Sequence, residues 1–344
     1  MIYLNCDYNE GAHPKVIENI INANNSQEFG YGNDSYSAHA KELIKKAIKR
    51  PDAEVHFMVS GTPTNVAFIS HVLRPYETEI CTQTGHINVH ESGSVESRGH
   101  KVTSVISKDG KINPDQIQEI MDEVTYEPSC HLVIPKMVYI TIPTELGTMY
   151  TKSELEDIYK KCQELNLYLY IDGARLGYGL TSEGCDLDLE TIANNCDAFY
   201  IGGTKCGALC GEAIVLLKDE FEVNFLNSVK QAGQLLAKGR LLGSQFEALF
   251  TNNLYFDICK NANRLAIKVR DALEAKGIEF EVHSNTNQQF PILPNSFVEK
   301  LKDEFAFEFV KKIDQDHTCY RICTSWATKE ENIDKLIDKI NELL

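Results

Sequence analysis

The sequence LYLYIDGARL at residues 167–176 contains the clearest indication of the fold. Its first five residues are almost entirely apolar, Asp172 follows them, and a Gly-Ala-Arg turn comes next. Such a run predicts a strand buried inside an α/β sheet. Because α/β sheets bind ligands at the carboxyl ends of their strands, Asp172 and Arg175 are candidate site residues. A purely structural ion pair between these two side chains is the alternative that the residues leave open.

Two more predicted strands end in residues that suit chemistry. The strand at 198–201 runs into Gly-Gly-Thr-Lys, and its small and apolar neighbours predict that Lys205 lines a crevice. A desolvated lysine has a lowered pKa and attacks carbonyl carbon. Upstream, the strand at 54–59 leads into Ser-Gly-Thr-Pro-Thr-Asn at 60–65 and then into a helix. Free N–H groups at such a helix start bind anions, although a plain turn is the simpler interpretation of this stretch alone.

The order of these features along the chain points to one cofactor. Pyridoxal 5'-phosphate needs a phosphate-binding turn, an acid for its pyridine nitrogen and a Schiff-base lysine. The turn at 60–65, Asp172 and Lys205 supply these parts in that order. Neither the Walker A pattern nor the GxGxxG fingerprint of nucleotide-binding proteins occurs in the sequence.

The remaining sequence predicts an α/β architecture with two domains. Short β-branched runs alternate with amphipathic stretches up to about residue 220, a mostly helical stretch follows to 276, and shorter strands are predicted at 278–282, 290–293 and 318–323. Because 344 residues exceed what one hydrophobic core usually holds, we expect a large domain at 1–245 and a small α+β domain at 246–344. Two capping boxes are predicted at helix starts, Thr151 with Glu154 and Thr328 with Glu331.

The composition disfavours several classes of partner and location. The chain has 34 Lys and Arg against 50 Asp and Glu, and this net charge of −16 disfavours nucleic acid and anionic membranes as partners. No apolar run is long enough to span a membrane. The eleven cysteines form no CxxC pair, so we expect free thiols in a reducing compartment. The first residues lack the pattern of a signal peptide, and we therefore expect a cytoplasmic protein.

The motifs resemble those of the threonine aldolase branch of the β-eliminating lyase family, whose members are pyridoxal-phosphate enzymes of fold type I. The resemblance extends over nearly the whole chain. It implies a large domain with a mainly parallel, mixed sheet flanked by helices, followed by a small α+β domain. The matching stretches are DYNEGAHP (7–14), GYGND (30–34), SGTPTN (60–65), TGHINVHE (84–91), TELGTMY (144–150), IDGARL (171–176), GGTK (202–205) and RICTSW (321–326).

The resemblance implies a role for each residue that would hold the cofactor. Lys205 would bind it covalently, and Asp172 would pair with its pyridine nitrogen and keep that nitrogen protonated. His86 would stack on the cofactor ring and is also a candidate base. Gly61 and Thr62 would bind the phosphate.

Further implied roles concern the substrate and the oligomer. Arg175 and Arg321 would bind the α-carboxylate of an amino acid, which suits the two-pronged guanidinium group, and Arg175 would also lie near the cofactor. Lys230 stands where the family often has a basic residue that reaches the phosphate from a neighbouring subunit. Tyr31 lies in a segment that is often contributed across the interface of a homodimer or homotetramer with shared active sites.

Three positions differ from the usual family pattern. Cys6 replaces a serine that lies near the substrate carboxylate in many relatives. Pro63 removes one N–H donor from the phosphate turn. Thr144-Glu145 replaces a histidine-containing segment that some aldolases use near the substrate hydroxyl, so Glu145 is the expected substrate contact there.

The implied reaction is cleavage of the Cα–Cβ bond of a small β-hydroxy-α-amino acid, threonine or allo-threonine, to glycine and acetaldehyde. The alternatives are β-elimination or transamination of another amino acid, and a protein that binds the cofactor or an amino acid without catalysis. His86 and His90 also have a spacing that suits zinc, but their order is not HExxH, and we expect no metal.

Overall fold

The computed structural model describes residues 1–126 and 129–344. Within these residues the strands are β1 Ile2–Tyr3, β2 Glu54–Met58, β3 Glu77–Thr82, β4 Lys101–Val105, β5 Ile134–Thr141, β6 Tyr168–Asp172, β7 Ala198–Gly202, β8 Glu212–Leu216, β9 Gln288–Gln289, β10 Ile292–Pro294, β11 Phe305–Ala306, β12 Glu308–Lys312 and β13 His317–Cys323. The α-helices in the same part of the chain are α1 Pro14–Asn24, α2 Ser35–Ile48, α3 Gly61–Val72, α4 His86–Val89, α5 Pro114–Tyr126, α6 Lys152–Glu164, α7 Leu176–Leu180, α8 Leu189–Asn194, α9 Asp219–Glu222, α10 Phe225–Gln231, α11 Arg240–Phe250, α12 Leu254–Glu274, α13 Asn295–Leu301 and α14 Glu330–Leu343.

The central sheet is mixed and has the strand order β2-β8-β7-β6-β5-β3-β4. The neighbours from β7 to β4 in this order are parallel, whereas β8 runs antiparallel to both β7 and β2. β2 therefore points in the same direction as the parallel strands. The carboxyl ends of β2, β6 and β7 consequently meet at one edge, where the sequence predicts the site.

Helices cover both faces of this sheet. One hydrophobic core includes Ile44 of α2, Leu155 of α6 and Phe246 of α11. The core on the opposite face includes Phe68 of α3 and Phe225 of α10. Two apolar faces explain why β6, β7 and β8 read as nearly continuous hydrophobic runs.

The C-terminal part of the chain has a core and a sheet of its own. Strand β13 pairs antiparallel with β9, β10 and β12, and α12 and α14 pack beside them through residues such as Leu265 and Ile333. The first residues of the chain also lie here, because β1 pairs in parallel with β11. The expected domain boundary near 245 stays a prediction, and that residue lies inside α11.

Of the two capping boxes and the strand at 278–282 that the sequence predicts, the structure contains only one capping box in full. The capping box at Thr151 and Glu154 forms with both of its hydrogen bonds. The box expected at Thr328 is wrong: α14 begins at Glu330 after Lys329, and the Thr328 hydroxyl instead accepts a hydrogen bond from the N–H of Ser325. The strand expected at 278–282 is reduced to one isolated bridge between Phe280 and Pro291.

Two glycines allow the ends of β6 and β7 to approach closely. A Cβ atom on Gly173 would lie 1.9 Å from the carbonyl oxygen of Tyr200, and one on Gly202 would lie 2.2 Å from the carbonyl oxygen of Ala174. Only glycine fits at such distances from backbone atoms. The turn that follows Asp172 and the end of the strand that leads to Lys205 are therefore held against each other.

Among the helices of residues 1–126 and 129–344, none is both long and apolar enough to cross a lipid bilayer.

Candidate active site

One cavity of about 520 Å³ opens at the carboxyl edge of the sheet. It brings together five residues that the sequence predicts for the site: His86, Glu145, Arg175, Lys205 and Arg321. They come from five separate segments of the chain. The other lining residues are Tyr8, Gln83, Thr84, Val89, His90, Leu146, Phe290, Glu308, Phe309 and Val310.

Lys205 lies in the wall of this cavity, just beyond β7. The hydroxyl of Tyr178 donates a hydrogen bond of 2.6 Å to the Lys205 carbonyl oxygen and fixes the backbone at this point. Burial, and then the positive charge of Arg175, lower the pKa of the Lys205 amine, although Asp7 and Asp172 act in the opposite direction. A lowered pKa increases the share of the neutral amine, which is the nucleophilic form.

Asp172 lies behind the cavity and is only 1% exposed. Its carboxylate accepts hydrogen bonds from the Tyr139 hydroxyl at 2.6 Å, the Asn65 amide at 3.0 Å and the Ala174 N–H at 3.0 Å. Burial opposes ionisation, but the positive charge that His86 carries when protonated and the hydrogen bonds, those of Tyr139 and Asn65 included, outweigh it and lower the pKa of Asp172. A buried carboxylate is therefore kept ionised at the end of β6.

The sequence interpretation missed Asn65, which links two buried acids. Its amide nitrogen donates to Asp172 at 3.0 Å and to Glu91 at 2.8 Å, while its oxygen accepts from the Tyr170 hydroxyl. Asn65 follows Gly61 by four residues, so it lies on the first turns of α3. Its place in the SGTPTN stretch is the available signal, but the sequence pattern by itself indicates only anion binding or a plain turn there.

His86 is oriented by a second carboxylate. Its Nδ1 lies 2.8 Å from Oε1 of Glu91, whose other oxygen accepts a hydrogen bond from Ser94. Because a carboxylate accepts, we assign the proton of the neutral ring to Nδ1, which leaves the lone pair on Nε2. Within the described ranges 1–126 and 129–344, no three His, Cys, Asp or Glu side chains are placed to hold a metal ion.

Glu145 lies beside His86 in the cavity wall. Its Oε1 accepts hydrogen bonds from the backbone N–H of His86 at 2.8 Å and from the Thr141 hydroxyl at 2.7 Å. Burial is the largest influence and raises the pKa of Glu145 despite these hydrogen bonds. The side chain therefore retains its proton to a higher pH than an exposed glutamate.

The two arginines of the cavity are both held by the N-terminal segment. Arg175 forms a bidentate ion pair with Asp7, and Nη2 of Arg321 donates to the Asn5 carbonyl oxygen at 2.9 Å. The alternative of an Asp172–Arg175 pair is therefore wrong. Burial opposes ionisation of Asp7, but the charges of Arg175 and Lys205 lower its pKa to about 2.

Five other predicted residues do not line the cavity of this chain. Gly61 begins α3 and lies against Tyr200, whose hydroxyl bonds to Asp172, and Thr62 follows it in the first helical turn. Cys6 is buried, and its thiol donates a hydrogen bond to the side-chain oxygen of Asn9. Tyr31 and Lys230 contact each other, with the ammonium 4.8 Å from the ring centre.

The fold and this site define the class of the protein. A mixed α/β sheet that places a lysine and a buried acid at neighbouring strand ends is the fold type I architecture, and the expected fold class is confirmed. The chain belongs to the β-eliminating lyase family, whose model matches residues 7–295.

Similar proteins agree with this assignment. A low specificity L-threonine aldolase of Pseudomonas is 29% identical over 341 residues, which cover 98% of this chain and 96% of that protein. The solved structure of a Leishmania major threonine aldolase has a TM-score of 0.97 and 43% identity, and the match covers 100% of this chain and 99% of that one. A Thermus thermophilus aspartate aminotransferase, at 16% identity and a TM-score of 0.72, shares the fold.

Glu212 provides a test of the electrostatics around Lys205. It lies at the start of β8, and its carboxyl accepts a hydrogen bond of 2.8 Å from the N–H of Gly203. Burial raises the pKa of Glu212 to about 7, above its ordinary value of 4.5. The folded protein therefore holds this proton longer than the unfolded chain, and stability from Glu212 falls as pH rises between these values.

We expect Glu212→Gln to remove this loss, because the amide oxygen still accepts from Gly203. In urea unfolding between about pH 5 and pH 8, the wild type should lose stability relative to the variant as pH rises. Glu156→Gln, on the exposed side of α6, controls for the removal of one negative charge. A constant difference between wild type and Glu212→Gln across this range would contradict the raised pKa.

Proposed function

We propose that this chain is a pyridoxal-phosphate-dependent lyase. It cleaves the Cα–Cβ bond of a small β-hydroxy-α-amino acid, threonine or allo-threonine, to glycine and acetaldehyde. The observation that carries the proposal is the placement of Lys205 and Asp172 at neighbouring strand ends, with Lys205 in a cavity that also holds two arginines and Asp172 buried behind it. The threonine aldolases among its relatives support the choice of substrate.

The residues present suit this cofactor. In the parts of the chain that the structure describes, no lysine or arginine forms a salt bridge with the buried Asp172. A buried anion calls for a cationic partner, and a protonated pyridine nitrogen is one. Lys205 offers an amine for the cofactor's aldehyde, and Gly61 and Thr62 offer N–H groups at the start of α3 for its phosphate. When bound, pyridoxal phosphate withdraws electrons from the substrate's α-carbon.

The arginines set the orientation of the substrate. A guanidinium group binds a carboxylate through two parallel hydrogen bonds, which fixes direction as well as distance. Arg175 and Arg321 both reach the cavity, so we assign the α-carboxylate to them. Holding the carboxylate there fixes which bond to the α-carbon faces the cofactor. This orientation contributes much of the rate acceleration.

His86 and Glu145 act on the β-hydroxyl group. His86 Nε2 accepts the hydroxyl proton, while Glu91 keeps the other ring proton on Nδ1. Glu145 lies beside His86, and its raised pKa favours the protonated form that would donate a hydrogen bond to the same hydroxyl oxygen. In this way a chain that has Glu145 in place of the histidine segment of some aldolases can still bind and deprotonate the substrate's β-hydroxyl group.

Product analysis tests the proposed reaction directly. We expect the purified holoprotein to convert L-threonine or L-allo-threonine to equal amounts of glycine and acetaldehyde, measured by amino-acid chromatography and an aldehyde assay. Protein stripped of pyridoxal phosphate serves as the control. An oxo acid with ammonia would show β-elimination instead, and no product from threonine, allo-threonine or serine would favour a binding protein.

The position of the cofactor is tested by chemical trapping. Borohydride reduction of the holoprotein and peptide mapping should place the pyridoxyl group on Lys205, because this amine lies in the cavity and has a lowered pKa. Lys205→Ala is the matched control and should carry no label. Label on Lys230 or Lys238 in the wild type would contradict the site.

We further propose a homodimer or homotetramer whose subunits share active sites. Phe29 is 82% exposed and Tyr31 is 46% exposed, and Tyr31 has a left-handed backbone with φ of 61°. Aromatic side chains so exposed beside glycines are typical of surfaces that another chain covers. In this arrangement Tyr31 and Lys230 of one subunit reach the cofactor of the next.

Mixing two inactive variants tests the shared site. Tyr31→Ala and Lys205→Ala subunits should each be inactive alone, but their heterodimer has one intact site because both lesions fall in the other site. We therefore expect activity to return on mixing, to about half of the wild-type value per heterodimer. Tyr76→Ala, at a tyrosine that is also exposed, should remain active. Verified heterodimers that stay inactive would refute sharing through Tyr31.

We also propose a cytoplasmic location. All eleven cysteines are free thiols, and most of them are buried. Free thiols persist in reducing compartments.

A further inference from the structure

Asp7 holds the guanidinium group of Arg175 from outside the cavity. The carboxylate is 1% exposed, and it accepts hydrogen bonds from Nε at 2.7 Å and from Nη2 at 3.0 Å. Two parallel hydrogen bonds fix the plane of the guanidinium group. Asp7 does not line the cavity, whereas Arg175 does.

Asp7 is itself held in place by other parts of the chain. The Asn287 amide donates to Oδ2 of Asp7 at 2.9 Å, and the N–H of Cys323 donates to the Leu4 carbonyl oxygen at 2.7 Å. These contacts fasten the segment at 4–7 to the C-terminal sheet. Within this segment, the carbonyl oxygen of Asn5 accepts a hydrogen bond of 2.9 Å from Arg321. One short segment therefore contacts both arginines of the cavity.

This contact leaves a defined part of Arg175 for a ligand. Asp7 occupies the edge formed by Nε and Nη2, and the end formed by Nη1 and the second proton of Nη2 remains for another carboxylate. An arginine without such a partner loses side-chain entropy when it binds, since several of its bonds rotate freely. A preorganised arginine avoids much of that loss.

We propose that Asp7 is a positioning residue that orients Arg175 toward the α-carboxylate of the substrate. The inference rests on the proposed function, because it takes an amino acid as the ligand. Asp7 reaches the substrate carboxylate only through Arg175, and its influence on Lys205 is common to all amines, so its removal should weaken ligands that carry a carboxylate more than those that do not. A merely structural residue would weaken both kinds of ligand.

The test compares glycine with ethanolamine, an amine of similar size that lacks the carboxylate. Dissociation constants are measured on the holoprotein from the change in cofactor absorbance. We expect Asp7→Asn to raise the value for glycine about tenfold or more, as the loss of a charge-assisted contact implies, and to leave ethanolamine within about twofold. Asp52→Asn, which removes an exposed aspartate paired with Arg50, is the control and should change neither value.

Two more variants separate orientation from folding. Asp7→Glu keeps the charge but moves the carboxylate by the length of one methylene group. The binding of glycine should therefore again weaken more than the binding of ethanolamine. In an Arg175→Gln background, Asp7→Asn should have no further effect on glycine, because the arginine it orients is absent. This double variant removes both buried charges and so avoids leaving one of them unpaired.

The outcomes separate this inference from the proposed function. If the wild type prefers glycine and Asp7→Asn or Asp7→Glu keeps the full preference, the positioning role is refuted and the proposed function stands. Equal weakening of both ligands, or further loss of glycine binding when Arg175 is already glutamine, also refutes it. Wild-type protein with no preference for glycine would contradict the carboxylate role of Arg175, and the inference with it.

Discussion

A buried negative charge at the end of β6 is the constraint on which the rest of the site depends. Asp172 is 1% exposed, and isolated charges in such surroundings are costly unless several donors surround them. The donors come from β5 through Tyr139, from α3 through Asn65 and from the following turn through Ala174. The hydrogen bonds of this single carboxylate therefore depend both on the strand order of the sheet and on the position of the start of α3.

The same region holds groups whose pKa values move in opposite directions. The pKa of Asp172 is lowered although burial opposes it, that of Lys205 is lowered because of burial, and those of Glu145 and Glu212 are raised by burial. One edge of the sheet therefore holds an ionised acid, an amine with an increased neutral share and two acids that retain their protons to a higher pH than exposed carboxyl groups do. Shifted pKa values of this kind concentrate at functional sites, and here they fit acid–base chemistry at the α- and β-carbons of an amino acid.

Sequence patterns predicted the parts of the site that stand at strand ends. Apolar runs that stop at Asp172 and before Lys205 predicted the sheet edge, because the burial and the end of a strand follow from local sequence and alternating strands and helices predict parallel strands. The partners of these residues were not predictable in this way. Arg175 pairs with Asp7, which is 168 positions away, and Asn65 bridges Asp172 and Glu91, and such pairings depend on packing among distant segments. The capping box predicted at Thr328 does not form for a similar reason. The Thr328 hydroxyl accepts a hydrogen bond from Ser325 in the preceding turn instead.

The most direct test of this account is the exchange of Asp172 for asparagine. The amide keeps the shape, and with its oxygen at the Oδ1 position it still accepts from the N–H of Ala174, while its NH2 group at the Oδ2 position faces the Tyr139 hydroxyl, which can accept a hydrogen bond. The exchange removes the charge that, in this account, would keep the cofactor nitrogen protonated. We expect Asp172→Asn to fold and bind pyridoxal phosphate, and to lose about 10²–10³-fold in kcat for threonine cleavage, the range typical of lost electrostatic stabilisation. Turnover close to the wild-type value in protein loaded with cofactor would show that the buried acid is structural and would contradict the account.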